Sequence, residues 1–338
     1  MICKFMKDKK YRAVNIALAA CFFMIPFLCK GQMKWVNMDI HYQPLPSSVH
    51  VYKTTDSLEG KPFIAYYLEA GLKDQQLDFT DDTTYHRRFT PKQFYEKNNH
   101  PLVVVNCTFF NFDKNQNLNM VVKEGKPIAY NTRSVKGRGK DSVSQRLIYR
   151  SAIGITKDRQ ADVAWILPDS SADAAYAVEH VVRSRHAPDT CCDLCDHTLR
   201  KIAKKEAAFR SQFRAWDVNT AVGGGPVLIQ EGNVAISNEE EMMFYGKAIN
   251  DKHPRTCVGY TNDGRLIIMV IQGRYPGIAE GATLGQEAKL LLELGCIEAL
   301  NLDGGGSSCM LVNGKETIKP SEKGEERPTP AVFIIKNK

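Results

Sequence analysis

The clearest pattern of apolar and polar positions lies in the last third of the chain. Arg265–Ile271 is an almost uninterrupted apolar run, which predicts a strand buried on both faces. Thr283-Leu284-Gly285-Gln286 has the form of a capping box, and Gly295 is a typical stop signal, so a helix is expected between them. Ile297–Leu302 predicts the next strand. Strand, helix and strand form a βαβ unit, whose two strands we expect to be parallel with a right-handed crossover.

Shorter segments complete the expected fold. Leu102–Asn106 predicts a buried strand, and turn signals at 124–125 and 231–232 predict two hairpins. Residues 169–215 are rich in alanine, arginine and lysine and predict a helical insertion on the surface. The sequence thus predicts an α+β fold: a mixed twisted sheet with a C-terminal βαβ unit, flanking hairpins and a helical insertion. Residues 101–338 would form this domain, with residues 32–100 packed onto it.

Residues 1–31 have the order of a secretory signal peptide. Basic residues up to Arg12 precede an apolar stretch, Ala13–Cys29. Cleavage after Gly31 is the first expectation. Processing as a lipoprotein at Leu18-Ala19-Ala20-Cys21, with a lipid anchor on Cys21, is the second, and a retained membrane anchor is the third. Each alternative places the body of the protein outside the cytoplasm, in the periplasm or at the cell surface.

Composition and charge narrow the possible classes of function. The chain has 338 residues, of which 43% are apolar and 25% charged, as is ordinary for globular proteins. A mean hydropathy of −0.32 and one long apolar run exclude a multi-span membrane protein. The net charge is +7. Because most of this excess lies in residues 1–31, the rest is nearly neutral and lacks the basic footprint of a nucleic-acid-binding protein.

Ten cysteines include one dense cluster. Cys191, Cys192 and Cys195 lie close to His197, so the cluster can be interpreted as a metal site or as a local disulfide in an exported loop. The disulfide is favoured, because the second ligand pair of a closed zinc site is missing nearby. We therefore expect no metal and no cofactor. The remaining cysteines after the leader, in apolar contexts, are expected to be small core residues: Cys107, Cys257, Cys296 and Cys309.

The sharpest candidate for chemistry is Asp303-Gly304-Gly305-Gly306-Ser307-Ser308. Three glycines let a backbone approach a ligand and expose its N–H groups, and two hydroxyls and a carboxylate frame them. The segment is either a polar site for a sugar or phosphate, or a turn whose aspartate caps local amides. Its spacing matches neither a P-loop, a Rossmann fingerprint nor a nucleophile elbow.

The expected βαβ unit adds a geometric argument. Gln272-Gly273-Arg274 ends its first strand and Asn301-Leu302-Asp303 ends its second. Ligands in open α/β sheets tend to bind outside the carboxyl ends of parallel strands. Arg274 and Asp303 are therefore expected to face one crevice.

Several segments together resemble the phosphodiester glycosidase family. The resemblance runs from about Leu102 to Ile335, and the order of its segments is more specific than any one of them. The segments are Asn301–Ser308 followed by Met310–Gly314, Val105–Phe110, Gly223–Leu228, Arg255–Gly259, Gly273-Arg274, Gly281–Leu284 and Glu326–Pro328.

The resemblance implies hydrolysis of a sugar-1-phosphodiester at the sugar–phosphate bond, in a small molecule or a polymer. Asp303 is the candidate for base, nucleophile or cation stabiliser. Glu280, which precedes Gly281 in the crossover loop, is a weaker second carboxylate or else a solvated loop charge. Arginine suits the phosphate because its guanidinium is always charged and binds bidentately. The catalytic candidates are Asp303, Arg274 and Arg255. The candidates for binding substrate are Asn106, Phe110, Asn111, Gly224, Gly225, Gln272, Asn301, Gly304, Gly305, Gly306, Ser307, Ser308 and Arg327.

One position departs from the family pattern. Many bacterial members have Asp-Gly-Arg where this chain has Gln272-Gly273-Arg274. A glutamine is not a general acid or base, so a second hypothesis is a non-catalytic binder of anionic cell-surface glycans that retains the cleft. A third is a redox or metal protein built on the cluster at 191–197.

Overall fold

A computed structural model describes residues 32–169, 174–183, 185–186, 208–209 and 211–338 of the chain. The expected signal peptide with Cys21 and the cysteine cluster at 191–197 lie outside the described residues. One compact unit spans Met33–Lys338. None of the helices in the described ranges is long and apolar enough to cross a membrane.

The described chain is largely β-structure. Its α-helices include α1 (Asp39–Tyr42), α2 (Pro91–Lys97) and α3 (Leu284–Glu293). The strands are β1 (Val36–Asn37), β2 (Val49–Thr54), β3 (Ile64–Gly71), β4 (Leu77–Thr83), β5 (Val103–Asn106), β6 (Phe110–Asn111), β7 (Gln116–Asn117), β8 (Val121–Lys123), β9 (Lys126–Ala129), β10 (Ser134–Lys136), β11 (Gln145–Leu147), β12 (Arg150–Ile155), β13 (Ala161–Asp169), β14 (Ala174–Val178), β15 (Arg185–His186), β16 (Arg214–Ala215), β17 (Thr220–Gly223), β18 (Val227–Gln230), β19 (Asn233–Val234), β20 (Arg255–Thr261), β21 (Arg265–Gln272), β22 (Cys296–Asn301), β23 (Met310–Val312), β24 (Lys315–Glu316) and β25 (Ala331–Asn337).

Three sheets carry the fold. The first has the order β1-β2-β3-β21-β20-β22-β18-β19, the second β16-β14-β13-β12-β17-β8-β9, and the third β24-β23-β5-β25-β4. A small sheet, β10-β11-β15, and the hairpin β6-β7 form separate hydrogen-bonded units among the described residues. Strands from residues 36–83 are thus integral to the first and third sheets.

The three sheets share one apolar core. Leu68 and Ile268 from the first sheet, Ile153 from the second, and Val105 and Phe333 from the third belong to a single buried cluster. The opposite faces are also covered. Helix α3 packs on the first sheet and α2 on the third. Because both faces of β21 are buried, its sequence is continuously apolar, which confirms the interpretation of Arg265–Ile271.

Helix α3 begins and ends as its sequence predicts. The Thr283 hydroxyl accepts the Gln286 N–H at 3.2 Å, and Gln286 Oε1 accepts the Thr283 N–H at 3.0 Å. Gly295 adopts a φ of +87° just after the helix. These reciprocal bonds satisfy backbone donors that a helix start leaves unpaired. Helix α3 therefore connects β21 to β22 at a defined point.

Two expectations need correction. All the neighbouring strands paired within the described ranges are antiparallel, so the sheets are not mixed. Strands β21 and β22 do run in the same direction, but β20 lies between them and pairs with both. The segment 169–215 is not simply helical. Ala174–Val178 forms a strand against β13, because a neighbouring edge was available to pair with it.

Glu241 joins the first two sheets. Its buried carboxylate accepts hydrogen bonds from the Ser151 hydroxyl at 2.9 Å, the Val227 N–H at 3.1 Å and the Trp165 indole N–H at 3.1 Å. Ser151 lies in β12 and Val227 in β18. Arg150 provides a nearby positive charge, and burial raises the pKa of Glu241. A buried carboxylate with this many donors holds the sheets in register.

Glu241→Ala should lower the free energy of unfolding by about 4 kcal/mol, because several buried donors would lose their acceptor. Urea denaturation measures this change. Glu240→Ala is the matched control, since Glu240 pairs with the exposed Arg183 at 3.9 Å. Equal stability losses in the two variants would contradict this role of Glu241.

Candidate active site

A tight glycine turn follows β22 and carries the candidate carboxylate. Asp303 opens the turn, and Gly305–Ser307 form a single 3₁₀ turn. The Asp303 N–H donates to the Cys107 carbonyl at 2.8 Å, and the Gly305 N–H donates to the Pro254 carbonyl at 2.8 Å. The turn is therefore fixed to the chain after β5 and to the chain before β20.

Asn106 locks this turn from beneath. Its buried carboxamide donates to the Asp303 carbonyl at 2.5 Å. Its Oδ1 accepts the Thr256 hydroxyl at 2.8 Å and the Cys309 N–H at 3.0 Å. These contacts occupy groups that a sugar hydroxyl would need. Asn106 therefore positions the site, rather than offering its carboxamide to a substrate.

Two arginines flank the glycines. A Cβ atom on Gly305 would lie 3.0 Å from Arg274 Nη2, and one on Gly306 would overlap the Arg327 guanidinium. Gly305 also has a φ of +61°. Glycine at these positions thus lets two guanidinium groups approach the turn closely. Arg274 and Arg327 therefore lie against the glycine turn that Asp303 opens.

Burial has the largest effect on the pKa of Asp303. Burial raises the pKa of this half-buried carboxyl to about 7, against the opposing effects of the Ser307 hydroxyl, the Arg327 charge and the Gly304 N–H. A carboxyl with such a pKa exchanges a proton near neutrality. A carboxyl with a raised pKa that faces a cationic side chain is typical of a functional site.

Arg255 lies apart from the open face of the turn. It is buried, its Nε donates to the Ala282 carbonyl at 3.0 Å, and its Nη2 donates to the Asp251 carbonyl at 3.3 Å. The buried Glu287 of α3 supplies the nearby negative charge, and burial raises the pKa of Glu287 to about 7. Arg255 thus holds the loop before α3 in place.

Gln272 faces a backbone amide. Its buried Oε1 accepts the Lys319 N–H at 2.9 Å. Nearby, the Tyr275 hydroxyl donates to the Pro320 carbonyl at 2.6 Å, and the Ser321 hydroxyl donates to the Gly305 carbonyl at 3.3 Å. Gln272 and Tyr275 therefore fix residues 319–321 against the glycine turn. Either a glutamine or an aspartate side chain has the oxygen needed to accept such a bond.

The glycine segment between β17 and β18 is also fixed by buried amides. The Gly224 carbonyl accepts from Asn119 Nδ2 at 2.8 Å, and the Gly225 carbonyl accepts from Asn301 Nδ2 at 2.7 Å. Beside it lies a cavity of about 380 Å³. Aromatic and apolar side chains dominate its lining, together with one amide, one hydroxyl and one guanidinium: Phe109, Leu118, Asn119, Thr132, Val135, Arg150, Met243 and Phe244.

The other predicted residues have local roles. Asn111 Oδ1 accepts the N–H groups of Asp113 and Lys114, both at 2.9 Å. Phe110 is buried, and Glu280 pairs with Lys252 at 3.7 Å. Ser307 and Ser308 are both buried, and the Ser308 hydroxyl has no hydrogen-bond partner in the described part of the chain.

Sequence reasoning missed three contributors. Burial and the charges of Arg255 and Arg274 lower the pKa of His253, which keeps this imidazole neutral near pH 7. The Phe244 ring lies 5.5 Å from the Arg255 guanidinium and also lines the cavity. Phe112 is 55% exposed beside Arg327. Only His253 carried a sequence signal, its place two residues before the Arg255 motif.

Comparison with known proteins shows which family this chain resembles. Residues 181–336 match the family model of the phosphodiester glycosidases. N-acetylglucosamine-1-phosphodiester alpha-N-acetylglucosaminidase of Bos taurus is 30% identical over 102 residues, covering 30% of this chain and 19% of that protein. The SPbeta prophage-derived uncharacterized protein YomE of Bacillus subtilis is 45% identical over 67 residues, covering 20% of this chain and 10% of that protein. The matches thus span a fifth or less of these relatives.

Solved structures extend the likeness over most of the chain. The zebrafish N-acetylglucosamine-1-phosphodiester alpha-N-acetylglucosaminidase catalytic domain, auto-inhibited by its pro-peptide, has a TM-score of 0.55 at 18% identity, covering 91% of this chain and 89% of that one. A hypothetical protein from Synechocystis has a TM-score of 0.58 at 14% identity, covering 90% and 64%. These likenesses establish the fold. The family match and the curated relatives support the resemblance to the phosphodiester glycosidase family that the motifs predict.

Asn106→Ala should lower the free energy of unfolding by about 3 kcal/mol, because it leaves buried partners of the carboxamide unpaired. Chemical denaturation tests this. Asn111→Ala, in the same motif, should cost less than about 1 kcal/mol, since water can replace its bonds in an exposed loop. Similar losses of stability in both variants would show that the Asn106 carboxamide does not hold the glycine turn in place.

The raised pKa of Asp303 also predicts a pH dependence of stability. The native state keeps the proton up to about pH 7, whereas the unfolded carboxyl releases it near 3.8. Wild-type stability should therefore fall as the pH rises from 4 to 7, and Asp303→Asn should remove that loss. Calorimetry at pH 4, 5.5, 7 and 8 should show an advantage of the variant that grows to a plateau above pH 7. A constant difference would exclude the shift.

Proposed function

We propose that the protein is an exported glycosidase that hydrolyses the sugar–phosphate bond of a sugar-1-phosphodiester, with an N-acetylglucosamine-like sugar, in a glycan or cell-envelope polymer. The observation that carries the proposal is the Asp303 carboxyl, with a pKa of about 7, at a glycine turn flanked by Arg274 and Arg327. Export rests on the leader sequence alone.

The two arginines would bind the phosphodiester. Arg274 is exposed, and Arg327 is half-buried with its guanidinium paired to Glu322. Glu322 is 52% exposed, so the anionic substrate can displace it at little cost. Guanidinium groups at the glycine turn would hold the phosphate oxygens and stabilise the charge that develops as the bond to the sugar breaks.

Asp303 would act on the sugar side. In the proposed step, water attacks the anomeric carbon, the bond from that carbon to the phosphate oxygen breaks, and its electron pair leaves with the phosphomonoester. The ionised Asp303 takes the proton from the water and stabilises positive charge on the sugar ring. A phosphate is a weakly basic leaving group, so a second carboxyl as acid is not needed.

The neighbouring cavity would hold the sugar. It combines the rings of Phe109 and Phe244 with the amide of Asn119. Aromatic rings and a few placed polar groups are typical of small-molecule sites. An N-acetylglucosamine-like sugar also follows from the name of the mammalian relatives.

The non-catalytic alternative rested on Gln272. Since Gln272 Oε1 accepts the Lys319 N–H, the replacement of an aspartate has a positioning explanation that leaves the chemistry to Asp303. The hydrolase is therefore favoured over a glycan binder.

Asp303→Asn should reduce turnover of an N-acetylglucosamine-1-phospho-methyl diester by at least ~100-fold, because the proton acceptor is lost. Mass spectrometry follows free sugar and phosphomonoester. Glu280→Gln is the matched control and should keep parental turnover, since Glu280 pairs with Lys252. Unchanged turnover in the Asp303 variant would refute its role. Retention of intact diester by the wild-type protein would favour the binder.

The wild-type kcat/KM for that diester should rise with pH through an apparent pKa of about 7 and then level off, because the ionised carboxylate is the active form. A pH–rate profile from pH 5 to 9 measures it. A profile that falls over this range would instead make Asp303 a proton donor.

A further inference from the structure

An aromatic ring links the candidate site to a further arginine. Phe112 lies between β6 and β7, and its ring centroid is 5.4 Å from the guanidinium carbon of Arg327 and 5.4 Å from that of Arg88. Arg88 also lies 5.5 Å from the centroid of Phe110. Since Arg327 lies against Gly306, the contacts run without a gap from the glycine turn through Phe112 to Arg88.

Arg88 lacks the partner that would explain it as a structural charge. Within the described residues, it forms no ion pair with a carboxylate, and its contacts are the two rings. Phe112 is 55% exposed, so the pair does not contribute a buried core. Stacking on a ring restricts a guanidinium without using its N–H donors. The arrangement thus presents a pre-oriented cation beside the site.

The position of Arg88 differs from that of the sugar cavity. Asn119, which lines the cavity, donates to the Gly224 carbonyl, and Gly224 packs against Asn301 and Leu302 before Asp303. Arg88 is reached from the other end of the turn, through Gly306, Arg327 and Phe112. With the sugar in the cavity and the scissile phosphate at Arg274 and Arg327, Arg88 would face the group that leaves with the phosphate.

We propose that Arg88, oriented by Phe112, forms a second anion subsite on the leaving-group side, so that the substrate is a polymer of repeated sugar-phosphodiester units. This rests on the proposed function and names its substrate class. The guanidinium carbons of Arg88 and Arg327 are separated by no more than twice 5.4 Å, because both contact one ring. Two arginines held within this distance fit two phosphates separated by one sugar unit.

The test compares two substrates. One is the N-acetylglucosamine-1-phospho-methyl diester, with one phosphate. The other is its dimer, in which the first phosphate is esterified to the second sugar, whose own phosphate carries the methyl group. Wild-type KM should be lower for the dimer. Arg88→Gln should raise the KM for the dimer about tenfold, the loss of about 1.4 kcal/mol of binding, and leave its kcat and the one-phosphate substrate unchanged.

Arg87→Gln is the matched control, because Arg87 is the exposed neighbour with the same charge and lies outside the ring stack. It should not change the preference for the dimer. If both variants raised the KM for the dimer equally, the effect would come from the loss of a positive charge in general, and the proposal would be overturned. The proposal would also be overturned if Arg88→Gln raised the KM of both substrates equally, or if a thymidine oligonucleotide competed for the site as strongly as the dimer binds.

Failure of the proposed function gives a different result. If the wild-type protein cleaves neither substrate, calorimetric binding of the intact dimer and monomer decides the subsite by itself. Tighter binding of the dimer that is lost in Arg88→Gln, and kept in Arg87→Gln, supports the subsite in a protein that does not hydrolyse these diesters. No difference between dimer and monomer overturns it.

Discussion

The candidate site depends on one buried carboxamide. Asn106 bonds to the Asp303 carbonyl, the Thr256 hydroxyl and the Cys309 N–H, and so joins the end of β5 to β20 and to both ends of the glycine turn. In a desolvated environment each of these bonds is costly to break, because no water replaces the lost partner. The turn therefore has little freedom to move, and the position of the Asp303 carboxyl follows from it.

The rigidity of the glycine turn explains how Asp303 stays in a place where its ionised form is disfavoured. Burial disfavours the ionised form of Asp303, while two guanidinium groups lie against the adjacent glycines. Such an arrangement is retained only if the surrounding structure holds it. Arg255 with Glu287 beneath the loop before α3, and Gln272 beneath residues 319–321, supply that support. Polar side chains at several motif positions thus hold the backbone around the glycine turn in place.

Sequence patterns predicted elements well where one interaction dominates. The capping box gave the start of α3, and the apolar run gave β21 with both faces buried. They failed where pairing depends on distant segments. Nothing in β21 or β22 indicates that β20 lies between them, and Ala174–Val178 became a strand because β13 offered an edge. Family motifs marked the right neighbourhood but not which of Arg255, Arg274 and Arg327 lies against the glycines.

The sequence by itself determined the glycine turn, its aspartate and the family resemblance, because local spacing and the order of the motifs suffice for these. Only the tertiary structure decided what each polar side chain does. Hydrogen-bond partners and desolvation are set by segments far apart in the chain: Asn106 meets Asp303 across 197 positions. Phe112 and Arg88 could not be identified from the sequence for the same reason. Their contact with Arg327 forms only when β6, β7 and the chain before β25 come together.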